Sequence, residues 1–169
     1  MTPNPVAYES QRVIEYTRVN FSFDAKKYRA FRATLPKTED EIVRTDRSIF
    51  QNMVGVVIPK YFWREATHFL KDGVGFTLMH DGKPASTAFC AFRYGKQLEI
   101  GIETVQKYRG MRLARHACAA LIDYSLENKL EPVWSCRLEN AGSYRLAQKL
   151  GFEPTLFIPY YQLLSPPHS

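Results

Sequence analysis

Cysteine is scarce: Cys90, Cys118 and Cys136 are the three in 169 residues, and they stand far apart. An odd, scattered set excludes a disulfide framework and a thiolate zinc site, and predicts reduced thiols in a cytoplasmic protein. His68, His80, His116 and His168 show no ligand spacing either, so no metal is expected. The opening Met1-Thr2-Pro3-Asn4-Pro5 lacks a basic stretch followed by an apolar run. No window approaches about 18 uncharged apolar residues, so neither a secretory leader nor a membrane-spanning helix is predicted. No G-x-G-x-x-G follows the first predicted strand and no G-x-x-x-x-G-K-[ST] occurs anywhere, which removes the dinucleotide-binding and Walker readings with their glycines. Repeats and linkers are missing as well, and one domain over 1–169 is expected.

Apolar residues make up 45% of the chain and aromatics 14%, enough for a packed core and too much for disorder. A net charge of +6 favours anionic ligands: phosphate groups, nucleic acid or acidic protein faces.

The patterning predicts an α/β (α+β mixed) chain. Val13 to Phe23 alternates and is rich in β-branched and aromatic residues, a first strand. Asp24 is placed to cap a helix over Ala25 to Leu35. Thr38-Glu39-Asp40-Glu41 has capping-box spacing and predicts a second helix toward Met53. A third is expected from near Pro59 to Asp72-Gly73. The period then becomes two: Gly75 to His80 and Ala85 to Tyr94 are strands joined across Asp81-Gly82, and Leu98 to Thr104 completes a meander. Beyond it come a helix from Leu113 to Asn128, a strand from Val133 to Leu138, a helix capped by Asn140 and ended by Gly151, and a strand from Phe157 to Leu164 that Pro159 confines to an edge. Such an order makes a mixed, mostly antiparallel sheet with helices on both faces.

Between the meander and the long helix runs Gln106-Lys107-Tyr108-Arg109-Gly110-Met111-Arg112-Leu113-Ala114-Arg115, with four Lys or Arg in ten residues and no acid. A helix start offers unpaired N–H groups and the positive end of its dipole, and basic side chains beside it suit a diphosphate. Gly110 lets the backbone turn there.

With Leu98-Glu99-Ile100-Gly101-Ile102-Glu103-Thr104 before it, this segment resembles the acyl-CoA motif, Q/R-x-x-G-x-G/A, of the GNAT superfamily of N-acyltransferases. Arg109 fits the first position and Ala114 the last; Arg112 stands where the family usually has glycine. Asn140-Ala141-Gly142-Ser143-Tyr144-Arg145-Leu146-Ala147-Gln148-Lys149-Leu150-Gly151-Phe152 is similar to the family's closing helix. The resemblance covers roughly 73–164, the acyl-CoA-binding core, and is weak over 1–60. Within it, the Glu-Ile-Gly-Ile-Glu-Thr wording looks like an uncharacterised bacterial acetyltransferase branch. It implies acetyl-CoA as donor, transferred by direct attack of a small-molecule or protein amine, and a donor site of Thr104, Val105, Arg109, Gly110, Met111, Arg112, Leu113, Ala114, Asn140 and Ser143. It also implies that the backbone from Glu103 to Val105 polarises the thioester.

An ammonium has a pKa of about 10, so a base must take its proton before it attacks a thioester. Glu99 and Glu103 share a strand face with Gly101 between them, at an expected spacing of about 6 to 7 Å, and either is a candidate base. The family's general-acid Tyr falls at Ala147; Tyr144, a turn earlier, is the nearest substitute. Cys136 reads as an inert thiol. Tyr8, Tyr16, Tyr28 and Phe31 among Lys26, Lys27, Arg29 and Arg32 form an RNA-like mixture that a solvated basic helix explains more simply. Two other readings stay open: a non-catalytic acyl-CoA-binding module, and an acetyltransferase acting on charged tRNA. The amine acceptor and the choice of monomer or homodimer are not legible.

Overall fold

The computed structural model describes residues 12–164. Met1 to Pro5, Tyr8 and His168 lie outside the described residues. Among the described residues seven strands, β1 (Arg12–Phe23), β2 (Glu41–Arg44), β3 (Gly75–His80), β4 (Lys83–Tyr94), β5 (Gln97–Thr104), β6 (Glu131–Arg137) and β7 (Phe152–Leu164), form one sheet in the order β2-β3-β4-β5-β6-β1-β7. Every pairing is antiparallel except that of β5 with β6. The helices are α1 (Ala25–Thr34), α2 (Arg47–Asn52), α3 (Ala66–Asp72), α4 (Ala114–Glu127) and α5 (Ala141–Lys149).

Alternation along β4 sorts them into two layers. Ala88 and Cys90 point into a core with Tyr28 of α1, Ala117, Cys118, Leu121 and Ile122 of α4, and Ala147 of α5. Phe89 and Ala91 point the other way, onto Phe50 of α2 and Ala66 and Phe69 of α3. Trp134, Phe152 and Leu121 are almost fully buried; each adds about 1.5–3 kcal/mol of burial, and truncating any of them to Ala costs about 2–5 kcal/mol.

The Asp24 carboxylate accepts from the amides of Lys26 and Lys27 and opens α1 as expected. The expected helix from Thr38 to Met53 does not form. Asp40 turns its carboxylate to His80 Nδ1, Glu41 to Arg44 pair with Met79 to Phe76 as the edge strand β2, and Asp46 caps the short α2 through the Ile49 amide. Ile42 and Val43, β-branched neighbours, suit a pleated edge better than a helix interior. The region from Pro59 holds a 3-10 turn, Pro59–Tyr61, before α3 starts at Ala66. β7 begins at Phe152, five residues earlier than the pattern suggested, and lies at the sheet edge, where Pro154 and Pro159 need no ladder donor on the open side.

Candidate active site

β5 and β6 are parallel, and their pairing ends at Glu99 opposite Val133 although β5 runs on to Thr104 and β6 to Arg137. The strands therefore part in the middle of the sheet. Val105 donates to Ala85 O toward β4, and Lys96 O accepts from Glu131 on the β6 side. Backbone groups alternate along an extended strand, so Ile102 and Thr104 turn their N–H groups toward the gap. Within the expected stretch from Glu103 to Val105, the amide of Val105 is committed to Ala85, whereas that of Thr104, like that of Ile102 before it, faces the gap.

Two cavities open on the gap and share Val57, Ile100, Gly101, Ser135, Cys136 and Arg137. One, of about 540 Å³, reaches Trp134, Asn140 and Ser143 at the start of α5. The other, of about 560 Å³, reaches Glu99, Phe62 and Ala91 on the α2/α3 face. Their floor needs glycine: a Cβ on Gly101 would sit 2.5 Å from the ring of Phe89.

Glu103 is the hub of the wall beside them. Its Oε2 accepts from the amides of Val56 and Val57, both at 2.8 Å, and its Oε1 accepts from Arg109 Nη2 at 3.0 Å. The loop from α2 presses so close that a Cβ on Gly55 would lie 2.7 Å from Glu103 Cγ. A carboxylate 8% exposed with both oxygens occupied is a structural clamp and a poor acceptor for a substrate proton. Arg109 is spent in the same clamp, since its Nε donates to Thr104 O.

Glu99 is different. Its Oε1 accepts from Ser135 Oγ at 2.7 Å and lies 3.5 Å from Arg18 Nη2, while Oε2 has no protein partner among the described residues. Four residues of strand at about 3.3 Å rise set Glu99 and Glu103 about 13 Å apart along the backbone. The shorter spacing expected from the sequence is wrong by a factor of two.

At the basic turn Gly110 has φ +81° and Arg112 φ +63°, so the position held by Arg112 is left-handed, which explains why glycine suits it elsewhere. α4 has no side-chain cap, and its first backbone bonds run from His116 and Ala117 to Leu113 O. The amides of Leu113, Ala114 and Arg115 thus lack intrahelical acceptors. Leu113 is buried beside Tyr108, Met111 is exposed, and Arg115 Nε is the one buried side-chain nitrogen or oxygen among the described residues without a partner. An uncapped helix start with an orphaned guanidinium N–H fits an anion.

Residues 6–160 match the model of the GNAT acetyltransferase family. The chain belongs to the GNAT acetyltransferase family. It is 30% identical over 148 residues to an uncharacterised N-acetyltransferase, YdfB, of Bacillus subtilis, covering 85% of this chain and 56% of that protein. Among solved structures it is similar to a GCN5-related N-acetyltransferase-like protein of Streptococcus suis, with TM-score 0.74, 25% identity, and coverage of 94% of this chain and 65% of that one. The fold is also shared with AAC(6')-Iy bound to the bisubstrate analogue CoA-S-monomethyl-acetylneamine, at TM-score 0.52 and 20% identity over 69% of this chain and 92% of that one. The chain spans between half and two thirds of the first two relatives.

Against the GNAT pattern, α5 departs where the acid usually stands. Ala147 is fully buried in the core, and Tyr144 sets its ring edge-on to Phe21 at 5.4 Å and lines neither cavity. Asn140 accepts from the Ser143 amide as the helix cap, and Ser143 Oγ receives Trp134 Nε1. Burial pushes the Cys136 thiol above its ordinary pKa, which keeps it protonated and weakly nucleophilic.

The sequence reading missed Arg18, Ser135, Arg137 and Tyr160, which surround Glu99. Period two on β1 puts Tyr16 and Arg18 opposite the buried Val19 and Phe21, a signal that could have exposed them.

Proposed function

We propose that the chain is an acyl-CoA-dependent N-acyltransferase that transfers acetyl from acetyl-CoA to a primary amine. The carrying observation is the parted β5/β6 pair, beside an uncapped, basic helix start, in a GNAT family member. In this reading the amides opening α4, with Arg112 and Arg115, hold the diphosphate. Asn140 and Ser143 flank the pantetheine arm, and Ile102 and Thr104 donate to the thioester oxygen. Bound acetyl-CoA supplies an activated acyl carbonyl. Glu99 receives the incoming ammonium at its free Oε2 and takes its proton, directly or through a water. The amine nitrogen then bonds to the carbonyl carbon as the C–S bond breaks, CoA leaves as a thiolate, and the second proton of the nitrogen passes to water. Neither Glu103 nor Tyr144 is assigned a chemical step. Three free thiols support a reducing, cytoplasmic setting.

Titrating acetyl-CoA against thermal unfolding, with thiol release followed over a pool of amines, tests this. Binding with release supports it, and Glu99→Gln should lower kcat by about 10²–10⁴-fold while leaving acetyl-CoA affinity intact. Binding without release from any amine favours the acyl-CoA-binding module, which the buried Ala147 makes a specific alternative.

A further inference from the structure

The cavity around Glu99 holds more positive charge than an amine site needs. Arg18 on β1 and Arg137 on β6 are direct cross-strand partners, and both line that cavity. Like charges placed opposite each other on neighbouring strands repel, and an anion in the cavity relieves that repulsion. Arg18 is partly compensated, donating to Ser135 Oγ at 2.7 Å and Asn20 Oδ1 at 3.2 Å and approaching Glu99. Arg137 has no carboxylate partner among the described residues. Its guanidinium carbon lies 4.3 Å from the ring centre of Tyr16 and 5.7 Å from that of Tyr160, and the two rings stack at 5.5 Å. A guanidinium held by aromatic rings is oriented, yet its N–H fork remains available for a planar or tetrahedral anion.

We propose that the acceptor is an amine that also bears an anionic group, a carboxylate or a phosphate. Glu99 receives the ammonium, and Arg137, with Arg18 beside it, receives the anion. This deepens the acyl-transfer reading and rests on it. Phe62, Tyr160, Val57 and Ala91 add apolar wall, so an aminocarboxylate with an aromatic or aliphatic body suits the cavity. Polycations such as polyamines or aminoglycosides meet the paired arginines and are disfavoured, whatever the resemblance in fold to AAC(6')-Iy.

Matched amines test this: phenylalanine against phenethylamine, phosphoethanolamine against ethanolamine, and spermidine as a polycation, each assayed by thiol release from acetyl-CoA. The anionic member of at least one pair should have kcat/KM about tenfold higher or more, and the pair that shows it identifies carboxylate or phosphate. Arg137→Met should bring that ratio near one through the acceptor KM while the KM for acetyl-CoA holds, and Arg137→Lys should fall between. Preference for the uncharged amines or spermidine overturns the proposal. So does an Arg137→Met defect equal for all amines or confined to acetyl-CoA. A second readout separates this from the acyl-transfer reading. With CoA bound, the anionic amines should raise the melting temperature of the wild type and not of Arg137→Met. If that holds while no amine releases thiol, acyl transfer falls and the anion site stands; if no anionic amine stabilises the protein, the anion site falls even where turnover is found.

Discussion

Replacing Glu103 separates a clamp from a base. In the structure the carboxylate accepts three hydrogen bonds, from Val56, Val57 and Arg109, and through them ties the loop after α2 to the basic turn. Hydrogen bonds to a charged group are worth about 1.5–3 kcal/mol each when shielded. Arg109 is more than half exposed, so its share belongs at the surface value of about 0–1 kcal/mol. The Val56 amide sits in an exposed residue that water can serve once the carboxylate has gone. A loss of about 3–4 kcal/mol for Glu103→Ala follows, which for a chain of this size is about 6–16 °C in Tm. Glu103→Gln keeps one acceptor oxygen, turns an NH2 toward existing donors, and should lose about half as much.

Differential scanning fluorimetry reads the stability, and an acetyl-CoA titration with thiol release reads the function. The clamp predicts a lower Tm, a raised KM for acetyl-CoA because Arg109 and the turn loosen, and a kcat that survives in Glu103→Gln. Gly55→Ala should reproduce the defect with the carboxylate intact, since its Cβ would intrude 2.7 Å from Glu103 Cγ. If Glu103→Gln melts like the wild type and turns nothing over, the carboxylate is the base and the clamp is refuted.

Three further outcomes are expected. The Asp40 carboxylate hydrogen-bonded to His80 raises the imidazole pKa above its ordinary value, so this tie between β2 and β3 contributes stability that is complete below about pH 6.5 and is lost as pH rises through the raised folded value. Asp40→Asn should flatten that stretch of the Tm–pH curve and lower the NMR titration midpoint of His80; an unmoved midpoint refutes it. Arg112→Gly should raise Tm by about 2–4 °C, because relief of about 1–2 kcal/mol at φ +63° exceeds the entropy glycine adds to the unfolded chain, and it should weaken acetyl-CoA binding; a lower Tm refutes the strain argument. With its thiol pKa raised by burial, Cys136 should react slowly with iodoacetamide at pH 7, and Cys136→Ser should keep its turnover; loss to background would restore a nucleophilic role.

The fold was legible where local chemistry and tertiary structure agree. Asp24 and Asn140 are caps, Asp81-Gly82 turns with both residues at positive φ, and α4 follows its apolar stripe. It was illegible where tertiary partners overrode a local signal: Thr38 to Glu41 read as a capping box, and His80, forty residues away in sequence, turned Asp40 into a strand tie. The site divides in the same way. Motif spacing led to the turn and α5, since these are contiguous in sequence. Nothing local could show that Glu103 is saturated by a loop 46 and 47 residues upstream while Glu99 keeps an oxygen free. The meeting of Arg18 with Arg137 was illegible for the same reason, since it depends on the register of β1 against β6.

The absence of a tyrosine at Ala147 bears on how the leaving group departs. That methyl is packed into the core, and Tyr144 is held against Phe21, so neither can protonate sulfur without repacking α5. Yet a thiolate of pKa about 8.5 is a tolerable leaving group near neutral pH, and stabilising its charge serves in place of giving it a proton. In the proposed reading the amides opening α4 place partial positive charge at the donor end, and the amides of Ile102 and Thr104 stabilise the charge that develops on the thioester oxygen. Positioning and oxyanion stabilisation therefore carry the step that a general acid would otherwise share, and Arg137 is left to the acceptor.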